Sequence, residues 1–171
     1  MIQVGILTVS DRSARGERPD ESGPAIRQIV EQEMQAHVAE YAIVPDERQQ
    51  IAALLAKWSD ELNLDIVLTT GGTGFALRDV TPEATLDVID RRTPGLEEAM
   101  RAESLKQTLH AMLSRAVAGM RGQTIIINLP GSPTAARQNL AVVLPALPHA
   151  VRLLRGMAAE GEHVAGPLDT A

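Results

Sequence analysis

Residues 65–74 read Asp65-Ile66-Val67-Leu68-Thr69-Thr70-Gly71-Gly72-Thr73-Gly74, and residues 78–83 continue as Arg78-Asp79-Val80-Thr81-Pro82-Glu83. The apolar and β-branched residues after Asp65 predict a buried strand. The three glycines allow the backbone to turn sharply and to bring its N–H groups close to an anion. With Thr81 as the N-cap and Pro82 at the first helical position, a helix is expected to begin beside this loop. The stretch therefore predicts a strand, a phosphate-binding loop and a helix in succession, which is the repeating unit of an α/β fold.

Asp79 lies between the glycine loop and the predicted helix. A carboxylate in this place would repel a bare phosphate, so we interpret it as a ligand of a divalent cation that itself binds phosphate. The alternative is a plain tight connection, which a Gly-Gly-Thr-Gly run often forms after a strand. No Lys follows the glycines as in a Walker A loop, and the run does not match the Gly-x-Gly-x-x-Gly dinucleotide motif, so the usual kinase, GTPase and dehydrogenase classes are disfavoured.

The composition is that of one globular domain, with 171 residues of which 44% are hydrophobic. The absence of cysteine excludes disulfides, thiolate zinc sites, iron–sulfur clusters and a cysteine nucleophile. The four histidines have no metal-ligand spacing, so each is interpreted as a surface or helix residue. No apolar run approaches the ~20 residues of a membrane span, and no positively charged segment opens the chain. We therefore expect no membrane association and a cytoplasmic location.

The net charge of −6 argues against a general nucleic-acid-binding surface. All basic residues except Lys57 and Lys106 are Arg, whose guanidinium suits bidentate phosphate contacts. Taken singly, an Arg is more easily explained as a solvated surface residue. The arginines next to predicted loops, and hence the candidates for an anion, are Arg12, Arg78, Arg115 and Arg137.

Strands and helices alternate along the chain. Predicted strands cover residues 2–9, 41–44, 65–70 and 124–129. Two predicted helices cover about residues 47–62 and 96–110. Three more are expected to begin at Pro24, at Pro82 and at Pro133, the last after the N-cap Ser132. This alternation predicts right-handed crossovers and a three-layer α/β/α sandwich with a mostly parallel sheet. We expect a single domain at residues 1–155. Residues 156–171, with little apolar periodicity, are expected to form a loosely ordered C-terminal tail.

Ligands of parallel α/β sheets collect at the carboxyl ends of the strands. Four segments follow predicted strands and are expected to converge on one cleft there: Ser10, Asp46, residues 71–79 and residues 128–133. The residues alone favour Asp46 as an N-cap of the helix near Glu47.

Eight motifs in order give the chain a specific resemblance. They lie at residues 8–11, 19–24, 44–47, 71–85, 94–97, 104–105, 112–115 and 128–133. The chain resembles the MogA/MoaB-type molybdopterin-binding family, to which the G domain of gephyrin and its plant counterpart belong. The resemblance covers nearly all of residues 1–155. It departs at Thr134, where many relatives carry a basic residue; Arg137, one helical turn further on, could supply that charge.

The resemblance implies a molybdopterin adenylyltransferase of molybdenum cofactor biosynthesis, in which the terminal phosphate of molybdopterin attacks ATP with Mg²⁺ and releases pyrophosphate. A phosphate monoester has a second pKa near ~6, so this nucleophile needs no general base. Charge neutralisation and positioning are what such a reaction requires. By the resemblance, Asp46 and Asp79 are the catalytic and Mg²⁺-binding pair. Nucleotide or phosphate positions are Ser10, Asp20, Gly71, Gly72, Thr73 and Gly74; molybdopterin positions are Ser104, Ser114, Asn128, Gly131, Ser132 and Pro133.

Two other classes of function remain open at this point. A non-catalytic molybdopterin-binding protein of the same family is one, although the presence of both Asp46 and Asp79 argues against it. An oligomeric scaffold is the other, but the linker and second domain of such proteins are not in this sequence. The resemblance also implies a homotrimer and a hand-off of the product to a molybdenum insertion protein.

Overall fold

A mixed six-stranded sheet forms the centre of the protein, whose computed structural model describes residues 1–157. The strands are β1 (Gln3–Val9), β2 (His37–Val44), β3 (Ile66–Thr70), β4 (Arg91–Arg92), β5 (Ala118–Arg121) and β6 (Thr124–Leu129), in the order β2-β1-β3-β6-β5-β4. The neighbours among β2, β1, β3 and β6 pair in parallel, whereas β5 runs antiparallel to both β6 and β4. The predicted α/β class with a mostly parallel sheet is confirmed.

Helices cover both faces of this sheet. They are α1 (Asp11–Ala14), α2 (Ser22–Gln32), α3 (Arg48–Asp60), α4 (Thr81–Leu86), α5 (Pro94–Leu105), α6 (Pro133–Val143) and α7 (Leu147–Leu154), with 3₁₀ turns at Leu109–Leu113 and Leu144–Ala146. One apolar core lies under α2, α5, α6 and α7, and a second lies under α3 and α4. The three predicted layers are therefore present within one domain.

Alternation along the strands assigns their side chains to the two cores. In β6, Ile125 and Ile127 point into the first core and Ile126 into the second, and all three are buried. Successive side chains of a strand point to opposite faces, so a strand covered on both sides is apolar at nearly every position. This is why β1, β3 and β6 were recognisable as continuous apolar runs.

Several element boundaries differ from the prediction. Helix α2 begins at Ser22 rather than at Pro24, and β2 begins at His37 rather than at Tyr41. The helix expected to run to His110 ends at Leu105, because Thr108 caps a separate 3₁₀ turn by accepting a hydrogen bond from the His110 N–H at 3.2 Å. Boundaries are set by such local contacts, which sequence periodicity does not report.

Strands β4 and β5 and helix α7 were not predicted from the sequence. Strands β4 and β5 have two and four residues, too few for a period-two pattern to stand out. Helix α7 contains Pro148 in its first turn, and its buried face consists of only Leu147 and Val151. Strands β4 and β5 are held by pairing within the sheet, and α7 is held by packing of its two buried residues against the first core.

The described part of the chain ends with Gly156 and Met157, so the rest of the expected C-terminal tail lies outside the described residues. Among helices in residues 1–157, none combines the length and the apolar character needed to cross a membrane.

Gly5 of β1 is required by the packing of the second core. A Cβ at this position would lie 2.6 Å from Cε3 of Trp58 and 2.9 Å from Cδ1 of Leu64. We expect Gly5→Ala to lower the free energy of unfolding by roughly 1–3 kcal/mol, the usual cost of overpacking a close-packed core. Urea titration followed by fluorescence of Trp58, the only tryptophan, measures this change. Gly95→Ala, where a Cβ meets open space, is the matched control; equal unfolding midpoints for the two variants would contradict the packing argument.

Candidate functional site

A polar cavity of about 340 Å³ opens at the carboxyl ends of β1, β2, β3 and β6. The four parallel strands are neighbours in the sheet, so the loops that follow them meet at one edge, as predicted. The predicted site residues that line this cavity are Ser10, Asp20, Asp46, Gly71, Gly72, Asp79, Gly131, Ser132 and Pro133.

A second, mostly apolar cavity of about 270 Å³ is lined by side chains of α5, the 3₁₀ turn that follows it and α6. Met100, Leu113 and Ala116 contribute apolar walls, and Asn139 and His110 contribute polar groups. The predicted site residues that line it are Thr73, Gly74, Ser104 and Ser114.

The glycine loop is the common wall of the two cavities. Gly71 and Gly72 face the polar cavity, and Thr73 and Gly74 face the apolar one. This arrangement divides the predicted residues differently from the sequence, which assigned the whole glycine loop to phosphate and residues 131–133 to the pterin. The structure places residues 131–133 in the polar cavity, on the same side as Asp46 and Asp79.

Two consecutive glycines in the left-handed region make the sharp turn at the end of β3. Gly71 has φ +100° and Gly72 has φ +65°, and a Cβ on Gly72 would lie 3.0 Å from Oδ1 of Asp46. Residues other than glycine rarely adopt such φ values. The turn therefore brings the backbone against a carboxylate of the neighbouring loop.

Thr81 closes this turn and is not the N-cap that the sequence predicted. Val80 occupies the N-cap position of α4, and Thr81 is the first helical residue. The buried Thr81 hydroxyl donates to the Gly71 carbonyl at 2.9 Å, and its N–H donates to the Gly72 carbonyl at 3.1 Å. The helix start is thus bonded to the glycine loop, so this N–H is not available to an anion.

Asp46 is held by a reciprocal pair of hydrogen bonds with Asp11. The Asp11 N–H donates to Oδ2 of Asp46 at 2.9 Å, and the Asp46 N–H donates to Oδ1 of Asp11 at 3.0 Å. Burial, with the neighbouring negative charges of Asp11 and Asp79, raises the pKa of Asp46. Because Glu47 takes the N-cap position of α3, the N-cap alternative for Asp46 is wrong.

Arg78 connects the Asp79 loop to the Asp46 loop. Its guanidinium donates to both carboxylate oxygens of Asp11 at 3.0 and 2.9 Å and to Oε1 of Glu47 at 2.8 Å. The hydrogen bond from Arg78 holds the pKa of Asp11 below its usual value. Arg78 therefore ties loops together, and a role in binding an anion is not needed to explain it.

Asp79 is fixed by its own loop and by Arg115. Oδ2 of Asp79 accepts the Ala76 N–H at 2.9 Å, and the Asp79 N–H donates to the Ala76 carbonyl at 2.9 Å. Arg115 donates to the carbonyl oxygens of Asp79 and Gly74 at 2.7 and 2.8 Å and pairs with Glu83. Neither Arg115 nor Arg78 lines either cavity.

Asp20 accepts hydrogen bonds on both carboxylate oxygens. Oδ2 accepts the hydroxyls of Thr8 (2.6 Å) and Tyr41, and Oδ1 accepts the N–H groups of Ser22 (3.0 Å) and Gly23 (3.1 Å). Burial opposes ionisation, but these donors together hold the pKa of Asp20 below its usual value. Asp20 lines the polar cavity, yet its main contacts anchor the start of α2.

Asn128 lies in the core and lines neither cavity. Its Nδ2 donates to the hydroxyls of Thr69 (3.0 Å) and Thr85 (2.8 Å), and its Oδ1 accepts the Val117 N–H at 3.1 Å. These contacts join β3, β6 and α4 beneath the glycine loop, so Asn128 supports the site instead of contacting a ligand in it.

Two serines serve as N-caps at the edge of the polar cavity. Ser132 accepts the Ala135 N–H at 3.1 Å and opens α6 with Pro133 as the first helical residue, which confirms the predicted N-cap. Ser10 accepts the Ser13 N–H at 3.2 Å and caps the short helix α1, which was not predicted.

The remaining arginine candidates separate into cavity and surface residues. Arg12 and Arg137 are exposed and line neither cavity. Arg18, which the sequence analysis missed, lines the polar cavity. It lies in the polar turn region before α2, where composition does not distinguish a cavity residue from a surface one. Arg18 brings a positive charge to a cavity that otherwise carries carboxylates.

The polar cavity fits a cation that is shared with a phosphate ligand. Within residues 1–157, no group of three or more histidine, aspartate or glutamate side chains is arranged to hold a metal ion by itself. Mg²⁺ is commonly bound by one or two carboxylates together with water and substrate phosphates. Asp46 and Asp79 line the same cavity, where burial and, to a smaller extent, the charges of Asp11 and Asp79 raise the pKa of Asp46. A cation bound there would relieve this repulsion.

Comparison with known proteins identifies the relatives of this chain. Residues 5–149 match the family described as the probable molybdopterin binding domain. The chain is 46% identical over 156 residues to the molybdopterin adenylyltransferase of Helicobacter pylori (strain J99 / ATCC 700824), covering 91% of this chain and 89% of that protein. It is 49% identical over 160 residues to gephyrin of Dictyostelium discoideum, covering 88% of this chain but only 22% of that protein.

A solved structure shows the same fold. The crystal structure of the molybdopterin biosynthesis enzyme MoaB from Thermus thermophilus is similar with a TM-score of 0.86 and 53% identity. The similarity covers 91% of this chain and 98% of that one.

Tyr41, the only tyrosine, reports on the contact with Asp20. Burial, together with the hydrogen bond to the Asp20 carboxylate and its charge, raises the pKa of Tyr41 from 10.0 to about 12. The stabilisation from this neutral phenol is present below the unfolded pKa of 10.0 and is lost as the pH rises towards about 12. Titration of the tyrosinate absorbance should therefore give a midpoint well above 10.0.

Asp20→Asn should move this midpoint back towards the ordinary value, because the amide removes the negative charge and keeps an acceptor oxygen. Asp60→Asn, which breaks an exposed ion pair with Arg121, should leave the midpoint where it is in the wild type. A midpoint at the ordinary tyrosine pKa in the folded wild type would contradict the assigned contact.

Proposed function

Because the chain belongs to the family described as the probable molybdopterin binding domain, we propose that it is a molybdopterin adenylyltransferase. The reaction transfers AMP from ATP to the terminal phosphate of molybdopterin and releases pyrophosphate. One observation carries the proposal: a polar cavity lined by Asp46 and Asp79 and an apolar cavity share one glycine loop as their wall. Two unlike substrates, one a triphosphate and one a flat heterocycle, are thereby brought to adjoining places.

The polar cavity is proposed to bind the triphosphate of ATP. Asp46 and Asp79 would hold Mg²⁺, which supplies charge neutralisation to the phosphates when bound. Arg18 brings a further positive charge, and Ser132 opens the eleven-residue helix α6 at the cavity edge. The N–H groups at such a helix start favour an anion. In this proposal these residues bind and orient the polyphosphate, and no cluster of lysines is needed to neutralise its charge.

The apolar cavity is proposed to bind the pterin of molybdopterin. Binding sites for heterocycles combine apolar walls with a few polar groups that fix orientation. Here Met100, Leu113 and Ala116 supply walls, and Ser104 and Ser114 supply hydroxyls. Ser104 accepts a hydrogen bond from Nδ2 of Asn139 at 2.9 Å, so its own hydroxyl proton is available to a ligand.

The proposed chemistry requires no general base from the protein. A phosphate monoester with a second pKa near ~6 is already anionic at neutral pH. Accordingly, the described residues that line the polar cavity include no His and no Lys. The protein's contribution is then positioning of the two phosphate groups and stabilisation of developing charge.

Two features of the quaternary and cellular context stay predictions from the family resemblance, namely a homotrimer and delivery of the product to a molybdenum insertion protein. Light scattering of the purified protein measures the oligomeric state.

The non-catalytic alternative is tested by incubating the protein with molybdopterin, ATP and Mg²⁺. Release of pyrophosphate with formation of adenylylated molybdopterin supports the enzyme, and binding of molybdopterin without either product supports the alternative.

The two carboxylates should both be needed for turnover. We expect Asp46→Asn and Asp79→Asn each to lower product formation by ~100-fold or more, about 3 kcal/mol, as for a removed electrostatic contributor. EDTA should stop turnover in the wild type, and excess Mg²⁺ should restore it. Asp87→Asn, which breaks an exposed ion pair with Arg48, is the control and should keep nearly full activity. Near-wild-type rates in either of the first two variants would remove those residues from the proposed roles.

Substitutions in the two cavities should separate the two binding events. Ser132→Asp retains an N-cap but adds a negative charge to the polar cavity, and it should weaken binding of a non-hydrolysable ATP analogue with Mg²⁺ by roughly 1–3 kcal/mol. Ser114→Leu fills part of the apolar cavity and should weaken molybdopterin binding while changing the affinity for the ATP analogue much less. Calorimetric titration of each ligand into the wild type and into each variant measures these affinities. Unchanged nucleotide affinity in Ser132→Asp, or equal losses for both ligands in Ser114→Leu, would contradict this assignment of cavities.

A further inference from the structure

Arg115 makes four contacts with the segment that carries Asp79. Its backbone N–H donates to the Thr73 carbonyl at 2.9 Å, and its Nε donates to the Gly74 carbonyl at 2.8 Å. One terminal nitrogen donates to the Asp79 carbonyl at 2.7 Å, and the other pairs with Glu83. One guanidinium therefore binds both ends of the 74–79 loop and the first turn of α4.

The 74–79 loop has little packing of its own to hold it in place. Phe75 is 68% exposed and Leu77 is 100% exposed, so neither apolar side chain contributes a core contact. Within the loop, Ala76 and Asp79 exchange hydrogen bonds, and Arg78 binds the neighbouring loops. Polar contacts rather than buried apolar area thus determine where the Asp79 carboxylate lies.

Arg115 itself lines neither cavity, whereas its neighbours Leu113, Ser114 and Ala116 line the apolar one. Its charge is compensated by Glu83, whose pKa is lowered: burial opposes ionisation, but the hydrogen bond from Arg115, a backbone hydrogen bond and the charges of Arg115 and Arg48 together outweigh burial. A direct contact between this guanidinium and a phosphate is therefore not what the geometry favours. Its N–H donors bind the 74–79 loop and the first turn of α4.

We propose that Arg115 is a positioning residue that sets the Asp79 carboxylate in the polar cavity by clamping the 74–79 loop. The planar fork of a guanidinium is what allows one side chain to reach two carbonyls and a carboxylate at once. A lysine keeps the charge but has a single nitrogen and cannot make all three contacts. The consequence for turnover rests on the proposed function, whereas the clamp itself does not.

Arg115→Lys tests the clamp, with Arg121→Lys as a matched control. Arg121 makes the same kind of three-donor contact at the other end of the sheet, with both carboxylate oxygens of Asp60 and the Val88 carbonyl. Hydrogen exchange of the Ala76 and Asp79 amides should be ~10-fold faster or more in Arg115→Lys, because local opening becomes easier. Exchange of both amides should be unchanged in Arg121→Lys.

Metal binding and kinetics then show whether the clamp positions Asp79. Calorimetric titration of Mn²⁺ in the presence of a non-hydrolysable ATP analogue should show affinity reduced by ~5-fold or more in Arg115→Lys. In turnover assays, kcat should fall by ~10-fold or more and the half-saturating Mg²⁺ concentration should rise, while KM for ATP at saturating Mg²⁺ changes less than ~2-fold. If Arg115→Lys does not fold, Glu83→Gln, which weakens the same ion pair, is measured instead.

The outcomes distinguish this inference from the proposed function. Unchanged amide exchange in Arg115→Lys overturns the clamp, and faster exchange with unchanged Mn²⁺ affinity overturns the positioning of Asp79. If the wild type binds Mn²⁺ and shows the expected exchange and affinity differences but releases no pyrophosphate, the proposed function fails and the positioning role stands.

Discussion

The close approach of Gly71 to the ends of the neighbouring strands is the constraint on which the site depends. The Gly71 N–H donates to the Leu129 carbonyl at the end of β6 at 3.2 Å, and its carbonyl accepts the Thr81 hydroxyl. A Cβ on Gly71 would collide with the Val9 carbonyl at the end of β1. The ends of three strands and the start of α4 therefore meet at one residue. Any side chain there would separate the loops that form the polar cavity.

Beneath this point, a buried polar network keeps the strands and α4 in register. Asn128 uses both ends of its amide, with Thr69 and Thr85 as acceptors and the Val117 N–H as donor. Fully satisfied buried networks of this kind specify a single arrangement, because any shift leaves a buried polar group without a partner. The loop that carries Asp79 therefore runs between two elements, β3 and α4, that this network holds together.

Negative charge accumulates in the polar cavity, and its distribution follows from burial and partners. Asp20 is supplied with donors and ionises easily, and Asp11 is compensated by Arg78. Asp46 is the exception, because burial and the charges of Asp11 and Asp79 raise its pKa. A buried carboxylate with like charges beside it is suited to the cation that we propose is brought with a substrate.

The amino-acid sequence by itself determined the fold class and the convergence of the loops. Continuous apolar runs with turn residues after them identify β1, β3 and β6, and parallel strands place their carboxyl ends at one edge. Local capping rules also identified Ser132 and Pro133 as the start of α6, because an N-cap contact spans only three residues. Such rules did not predict the short strands β4 and β5 or helix α7, because contacts with residues distant in the chain stabilise these elements.

Only the tertiary structure decided which residues share a cavity. Asn128 sits in the same motif as Ser132 but points into the core, because successive residues of a strand face opposite sides and Asn128 still belongs to β6. Thr81 donates to Gly71 ten residues earlier, and Arg115 reaches Asp79 across 36 residues. Contacts between residues so distant in the chain depend on the docking of whole elements. The sequence shows which chemical group each residue has. The packing of the sheet and helices determines which residues lie next to it.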